Sequence, residues 1–207
     1  MYKFLDIPGW FNMHDAYMHL VKLCEPEDEI VEIGCFCGRS TRFLCDSLVA
    51  SGKTDVIVHV IDTFEGSGPE MHNVDTSKIL DIFMENLKEH IDAKRVKIHI
   101  NRSDNKELLE EFSEDFLLGV IVDGSHEKDD VKKDIINWWP KIKEKGIMVG
   151  DDASWPGVIN GIKEGFSPFF NNTMVNIISG TECWFAKTKG EININYKMNP
   201  GDNCLKT

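Results

Sequence analysis

Val31-Glu32-Ile33-Gly34-Cys35-Phe36-Cys37-Gly38-Arg39-Ser40-Thr41 changes its patterning midway. Up to Ile33 the chain is mostly apolar and β-branched, as in a strand covered on both faces. From Arg39 the apolar positions recur at helical spacing to about residue 51. Between the two, Gly34 and Gly38 allow backbone angles that a side chain forbids and a close approach of the chain to a ligand. A strand, a glycine loop and a helix in that order open a β-α unit, and ligands of open parallel sheets bind where such a loop meets the helix N-terminus.

The same alternation continues outward from this loop. Strands are predicted over 29–34, 56–62, 96–101, 117–123, 146–151, 174–178 and 182–186, and helices over 39–51, 77–91, 106–112, 128–138 and 158–166, with a further helix over 14–23. Residues 179–181 are too few for a crossover helix, so the last two strands should form an antiparallel hairpin. The expected fold is a single Rossmann-like three-layer α/β/α domain over 1–207, its seven-stranded, mostly parallel sheet ending in that hairpin. Residues 1–27 form an N-terminal helical or lid segment, and the polar 193–207 a loose tail.

Bulk composition narrows the partners. The 23 Lys plus Arg against 35 Asp plus Glu leave a net charge of −12, which repels nucleic acid and anionic membranes. A small-molecule partner is expected, and a homo-oligomer stays open. The 6 cysteines follow no secretory leader, so the thiols are read as reduced and the chain as cytoplasmic. Cys35-Phe36-Cys37 has no second pair at zinc-site spacing and reads as buried packing. No apolar run approaches the roughly 20 residues that span a bilayer.

A second acid bears on the loop. Val58-His59-Val60-Ile61-Asp62 is an apolar strand ending in a carboxylate about 30 residues after Gly34, close to the spacing at which such folds place an acid on ribose hydroxyls. A nicotinamide enzyme could use the same device. Gly34-x-x-x-Gly38, however, lacks the Gly-x-Gly-x-x-Gly pattern that brings backbone against a pyrophosphate.

Together with Ile61-Asp62-Thr63-Phe64-Glu65-Gly66, Val122-Asp123-Gly124-Ser125-His126 and Gly150-Asp151-Asp152, the opening string resembles the class I S-adenosylmethionine-dependent O-methyltransferases. Within these it is most similar to the metal-dependent branch that includes the macrocin-type sugar O-methyltransferases. The resemblance covers about residues 28–165 and rests on the order and spacing of the motifs. It implies S-adenosyl-L-methionine as cofactor, a donor with no phosphate to cradle. Glu32 and Gly34 would meet its methionine end, Gly38 and Ser40 would complete the loop, Asp62 would take the ribose and Asp123 would lie beside it. Ser103 falls near the expected adenine contact, although a serine before a helix also serves as an N-cap.

Two more strands end in acids, at Asp123 and at Asp151-Asp152, on the same rim as the glycine loop. Three converging carboxylates suit an oxygen-ligated cation, Mg²⁺ or else Mn²⁺ or Ca²⁺. The resemblance implies the same ligands, Asp123, Asp151 and Asp152. Single acids in these places also cap the following helices, but the adjacent pair is poorly explained that way. His126, three residues after Asp123, is the expected general base, because an unperturbed imidazole accepts protons near neutrality. A helix-capping role is its rival. Trp138-Trp139-Pro140 reads as core. Trp155, after the acid pair, either walls an acceptor pocket or turns the chain, and residues 65–75 and 10–14 are candidate lids.

The expected reaction is methyl transfer to a hydroxyl of a sugar, a polyol or a catechol-like ring, with Asp123 and His126 as catalytic residues. Metal-independent methylation, a catalytically silent cofactor-binding module and a nicotinamide oxidoreductase remain alternatives.

Overall fold

A computed structural model describes residues 3–66, 74–169, 175–177 and 181–187. After a 3-10 turn, Lys3–Asp6, the elements run α1 (His14–Leu23), β1 (Glu29–Ile33), α2 (Arg39–Ala50), β2 (Ile57–Asp62), α3 (Ile79–Asp92), β3 (Val96–Ile100), α4 (Lys106–Glu110), β4 (Leu117–Val122), α5 (Lys128–Trp138), β5 (Ile142–Gly150), α6 (Pro156–Phe166), β6 (Asn176–Ile177) and β7 (Trp184–Lys187). The 7-stranded sheet has the order β3-β2-β1-β4-β5-β7-β6. The first five strands pair in parallel, while β7 lies antiparallel to both β5 and β6. This is the expected sheet with its antiparallel ending. The hairpin's connecting turn, most of the candidate lid 65–75 and the tail fall outside the described residues.

Side-chain alternation along the central strands builds two apolar layers. Ile30, Val58, Val60, Ile121 and Val149 face Tyr17, Leu20, Leu44, Leu48, Phe83 and Leu87 of α1, α2 and α3. Val31, Ile33, Val120, Val122 and Met148 face Leu108, Val131, Ile135, Trp138, Val158 and Ile162 of α4, α5 and α6. Every residue of β4 is buried, which explains why its sequence is continuously apolar. Each such Val, Leu or Ile contributes roughly 1.5–3 kcal/mol through burial. Among the described residues no helix is long and apolar enough to cross a membrane.

Of the boundaries that differ from the sequence expectation, two have a clear local reason. β5 begins at Ile142 rather than 146, because its register against β4 shifts between Leu117 and Gly119. The extra residues include Lys145 at φ 68° and the exposed Glu144, whose polarity hides the strand. α3 starts two residues late because Asp75 accepts from the Ser77 N–H and caps a 3-10 turn, Thr76–Lys78, first.

The register fixes the site. Ile33 pairs with Ile61 and with Val122, and Val122 pairs with Gly150. Gly34, Asp62, Asp123 and Asp151 are each the next residue along, so four strands deliver them to one rim at one level.

Candidate active site

Asp62 shapes the glycine loop. Its Oδ2 accepts from the backbone N–H of Cys35 at 2.8 Å and of Phe36 at 3.0 Å, and its Oδ1 accepts from Phe64 N–H at 2.7 Å. Phe36 and Phe64 both hold left-handed backbone, at φ 45° and 56°. Such conformations cost a bulky residue on the order of 1–3 kcal/mol each, and the carboxylate's three charge-assisted bonds offset this. A carboxylate's two oxygens offer about four acceptor positions, so Asp62 could also take a donor such as a ribose hydroxyl.

The two loop glycines serve different needs. Gly34 has φ +82°, and a Cβ there would stand 2.2 Å from the Asp123 carbonyl oxygen. Gly38, at φ +87° before α2, faces inward instead, with a Cβ meeting Leu87 and Phe83. Its small size lets α3 pack on the loop.

Behind the loop, Glu32 is completely buried. Its Oε1 accepts from the hydroxyls of Tyr17 at 2.9 Å and Ser40 at 2.6 Å. Its Oε2 is buried with no hydrogen-bond partner. Burial raises its pKa, against which the Ser40, Thr41 and Tyr17 hydroxyls act. Ser40 is thus placed behind Glu32, its hydroxyl spent on the carboxylate, and not on the open face of the loop. An orphaned acceptor beside a glycine bend forced against backbone is what the ammonium end of an amino-acid-bearing cofactor would satisfy.

Ser103 lies after β3, but its hydroxyl donates to Asp134 of α5, while the Trp138 indole N–H donates to the Ser103 carbonyl. The cap of α4 is Asn105, whose side chain accepts from Leu108 N–H. Capping therefore does not explain Ser103. Burial pushes Asp134 up to about 7, despite the Ser103 bond.

The predicted acid triad converges. Asp123, Asp151 and Asp152 each bring a carboxylate oxygen within 4.8 Å of the others. Burial first, then the charges of Asp151, Asp152 and Glu32, hold Asp123 well above the usual carboxylate range. Asp151 is also raised, by burial and by Asp152 and Glu182, while an Asp152 backbone bond and the Asn12 side chain act in the opposite sense. Neither Asp123 nor Asp151 caps a helix, since α5 and α6 begin after Glu127 and Trp155. Clustered, mutually repelling oxygens fit a hard divalent cation, which would relieve the repulsion.

His126 Nε2 lies 2.7 Å from Asp152 Oδ2. A carboxylate only accepts, so Nε2 is the donor in this bond, and in the neutral ring Nδ1 then carries the lone pair. The ring stacks on Trp155, with centroids 4.7 Å apart and planes at 22°.

Sequence reasoning missed Tyr17 as a partner of Glu32, and covered Asn12 only as part of the candidate lid 10–14, not as a partner of Asp151. Tyr17 carries a faint signal, a lone hydroxyl on the apolar stripe of Ala16, Leu20 and Val21. For Asn12 the residue type gives no signal of its own, because its role comes from the path of the N-terminal segment. That path is fixed where Arg39 Nη1 donates to the Gly9 carbonyl at 2.6 Å and where Phe11 packs on Tyr17 and Phe43.

A family profile described as "Methyltransferase domain" matches residues 31–153. No curated protein matches the chain. Among solved structures, the O-methyltransferase NovP is similar at 17% identity and TM-score 0.65, over 84% of this chain and 78% of its own. CalS11, a TDP-rhamnose 3′-O-methyltransferase of calicheamicin biosynthesis, is similar at 12% and 0.59, over 84% and 77%. SMU.1697c of Streptococcus mutans, solved with S-adenosylhomocysteine, is similar at 9% and 0.59, over 86% and 98%. At identities this low the structural likeness establishes the fold alone.

Proposed function

The chain belongs to the methyltransferase-domain family, and from that premise we propose that it transfers a methyl group from S-adenosylmethionine to a hydroxyl of a small molecule with the help of a divalent cation. The observation that carries this reading is the meeting of Asp123, Asp151 and Asp152 within 4.8 Å at the rim that also bears the glycine loop.

Glu32, Gly34 and Asp62 are the residues that would hold the cofactor, and the three aspartates those that would hold the cation. When bound, the cofactor supplies an electrophilic methyl on a sulfonium, and the cation supplies positive charge that makes a neighbouring hydroxyl more acidic. The chain's own part is positional and acid-base. Asp152 orients the His126 ring through Nε2, and Nδ1 takes the hydroxyl proton as the oxygen–methyl bond forms. Asp62 keeps the loop in its bent form, and Tyr17 and Ser40 hold one oxygen of Glu32 while the other stays free. The net charge of −12 supports an uncharged small acceptor over nucleic acid or membrane.

Calorimetric titration of Mg²⁺ into the S-adenosylhomocysteine complex tests the cation. Heat of binding is expected for the wild type and its loss for Asp152→Ala. Equal heats for the two proteins would overturn the metal-assisted reading.

A further inference from the structure

The indole N–H of Trp184 is buried with no hydrogen-bond partner among the described residues. Its place is set by the sheet. Trp184 pairs with Gly150 across the antiparallel ladder of β5 and β7, and a Cβ on Gly150 would stand 2.5 Å from Nε1 and 2.4 Å from Cε2. The indole therefore lies on bare backbone, with Nε1 over the residue that precedes Asp151 and Asp152. Phe166 of α6 meets the ring edge to face, with centroids 6.0 Å apart and planes at 81°. A buried tryptophan N–H normally finds an acceptor, and one left unpaired costs about as much as a lost hydrogen bond.

Trp184 also lines a cavity of about 10 Å³, together with Asp123, Asp151 and Asp152 and the apolar Val131 and Val158. That is just room for one water, and it excludes both a cofactor and a methyl acceptor. A buried water needs roughly two to four polar partners. Of the side-chain donors around the cavity, the Ser125 hydroxyl goes to Asp130 at 2.9 Å and His126 Nε2 to Asp152 at 2.7 Å. The Trp184 N–H is the one left over, and the three carboxylates supply acceptors. A single water there accepts from Nε1 and gives its two hydrogens to carboxylate oxygens, so its bonds are all made with groups of the cavity.

We propose that Trp184 is a positioning residue of the acid cluster, its N–H holding one buried water that bridges to the aspartate carboxylates and fixes their orientation for the cation. The inference rests on the cation-assisted function proposed above. Carboxylates that repel one another turn apart when nothing donates between them, and a donor fixed by the fold holds them in the arrangement that a divalent ion meets. Phenylalanine would fill much of the same space over Gly150 but hold no water.

Nuclear magnetic resonance on the full chain without added cation tests the water. The Trp184 indole N–H, assigned by its NOE to the Gly150 α-protons, should show a direct cross-peak to a long-lived water, and absence of that peak would overturn the inference. This arm needs no variant, so it decides the matter even if Trp184→Phe fails to fold. Calorimetry then titrates Mg²⁺ into the S-adenosylhomocysteine complexes of wild type and Trp184→Phe. The variant should bind Mg²⁺ about 10–100-fold more weakly, with affinity for S-adenosylhomocysteine unchanged. Equal Mg²⁺ affinity, or a parallel loss of S-adenosylhomocysteine binding, would reduce Trp184 to a packing residue and overturn the positioning role. No Mg²⁺ binding by the wild type would instead overturn the cation-assisted function, and the water at Trp184, read without any cation, would still stand or fall on its cross-peak.

Discussion

Gly34 and Asp123 touch through their backbones: a Cβ on Gly34 would stand 2.2 Å from the Asp123 carbonyl oxygen, in a loop where Gly34 N–H donates to Ile61 and Asp123 N–H donates to Ile33. The cofactor loop and the first acid of the cluster are therefore a single piece of backbone geometry. Moving one moves the other.

Gly34→Ala should consequently damage both. Its φ of +82° alone costs an L-residue on the order of 1–3 kcal/mol, and the backbone contact adds to that. Urea denaturation should show a stability loss of about 2 kcal/mol or more, and calorimetry a loss of S-adenosylhomocysteine binding. An alanine variant with wild-type stability and affinity would refute the contact.

Asp62→Ala removes the acceptor for Cys35, Phe36 and Phe64 N–H and leaves two left-handed phenylalanines unsupported. Each unsatisfied donor costs about 1–3 kcal/mol where water cannot replace the partner. Affinity for S-adenosylhomocysteine should fall more than about tenfold, one decade being about 1.4 kcal/mol. Asp62→Asn, which keeps one acceptor oxygen, should lose less.

Buried polar groups away from the rim set the acid side of the stability profile. His59 Nε2 meets Glu29 at 2.6 Å and its Nδ1 meets His99 Nε2 at 3.0 Å, a pattern that a neutral ring satisfies by donating to one and accepting from the other. Burial, outweighing Glu29, pushes its pKa down from 6.5 to about 4. The folded chain therefore binds fewer protons than the unfolded chain between those values, and stability is lost as pH falls from 6.5 toward 4. The full loss is on the order of 3 kcal/mol. Thermal melts between about pH 7 and pH 5 should show a smaller decline for His59→Gln than for wild type.

His126→Ala removes the proton acceptor without touching the loop. General-base catalysis contributes about 10²–10⁴-fold, so kcat should drop within that range while S-adenosylhomocysteine affinity stays put. A drop of less than threefold would take His126 out of the role.

The rim was legible because residues that end strands are marked by chemistry: an apolar run followed by Asp62, by Asp123 or by Asp151-Asp152 reads the same way each time. Parallel register then brings them together without further information. Side-chain direction was not legible. Ser40 and Ser103 sit where a cofactor contact was expected, yet their hydroxyls go to Glu32 and Asp134, partners 8 and 31 residues away in sequence. Gly38 was read as a glycine that frees the backbone and lets it approach a ligand; it does hold φ +87°, but its tight neighbours are Phe83 and Leu87, chosen by the packing of α3. The start of β5 was hidden for a related reason, since a bulged, exposed stretch carries no period.

Methyl transfer from radiolabelled S-adenosylmethionine to hydroxylated acceptors, with Mg²⁺ or with chelator, tests the central claim most directly. The account predicts label in the acceptor oxygen with Mg²⁺, its loss in chelator, and a rate at least about 100-fold lower for Asp123→Asn and Asp152→Ala. Transfer at the same rate in chelator as in Mg²⁺, unchanged by either substitution, would contradict it.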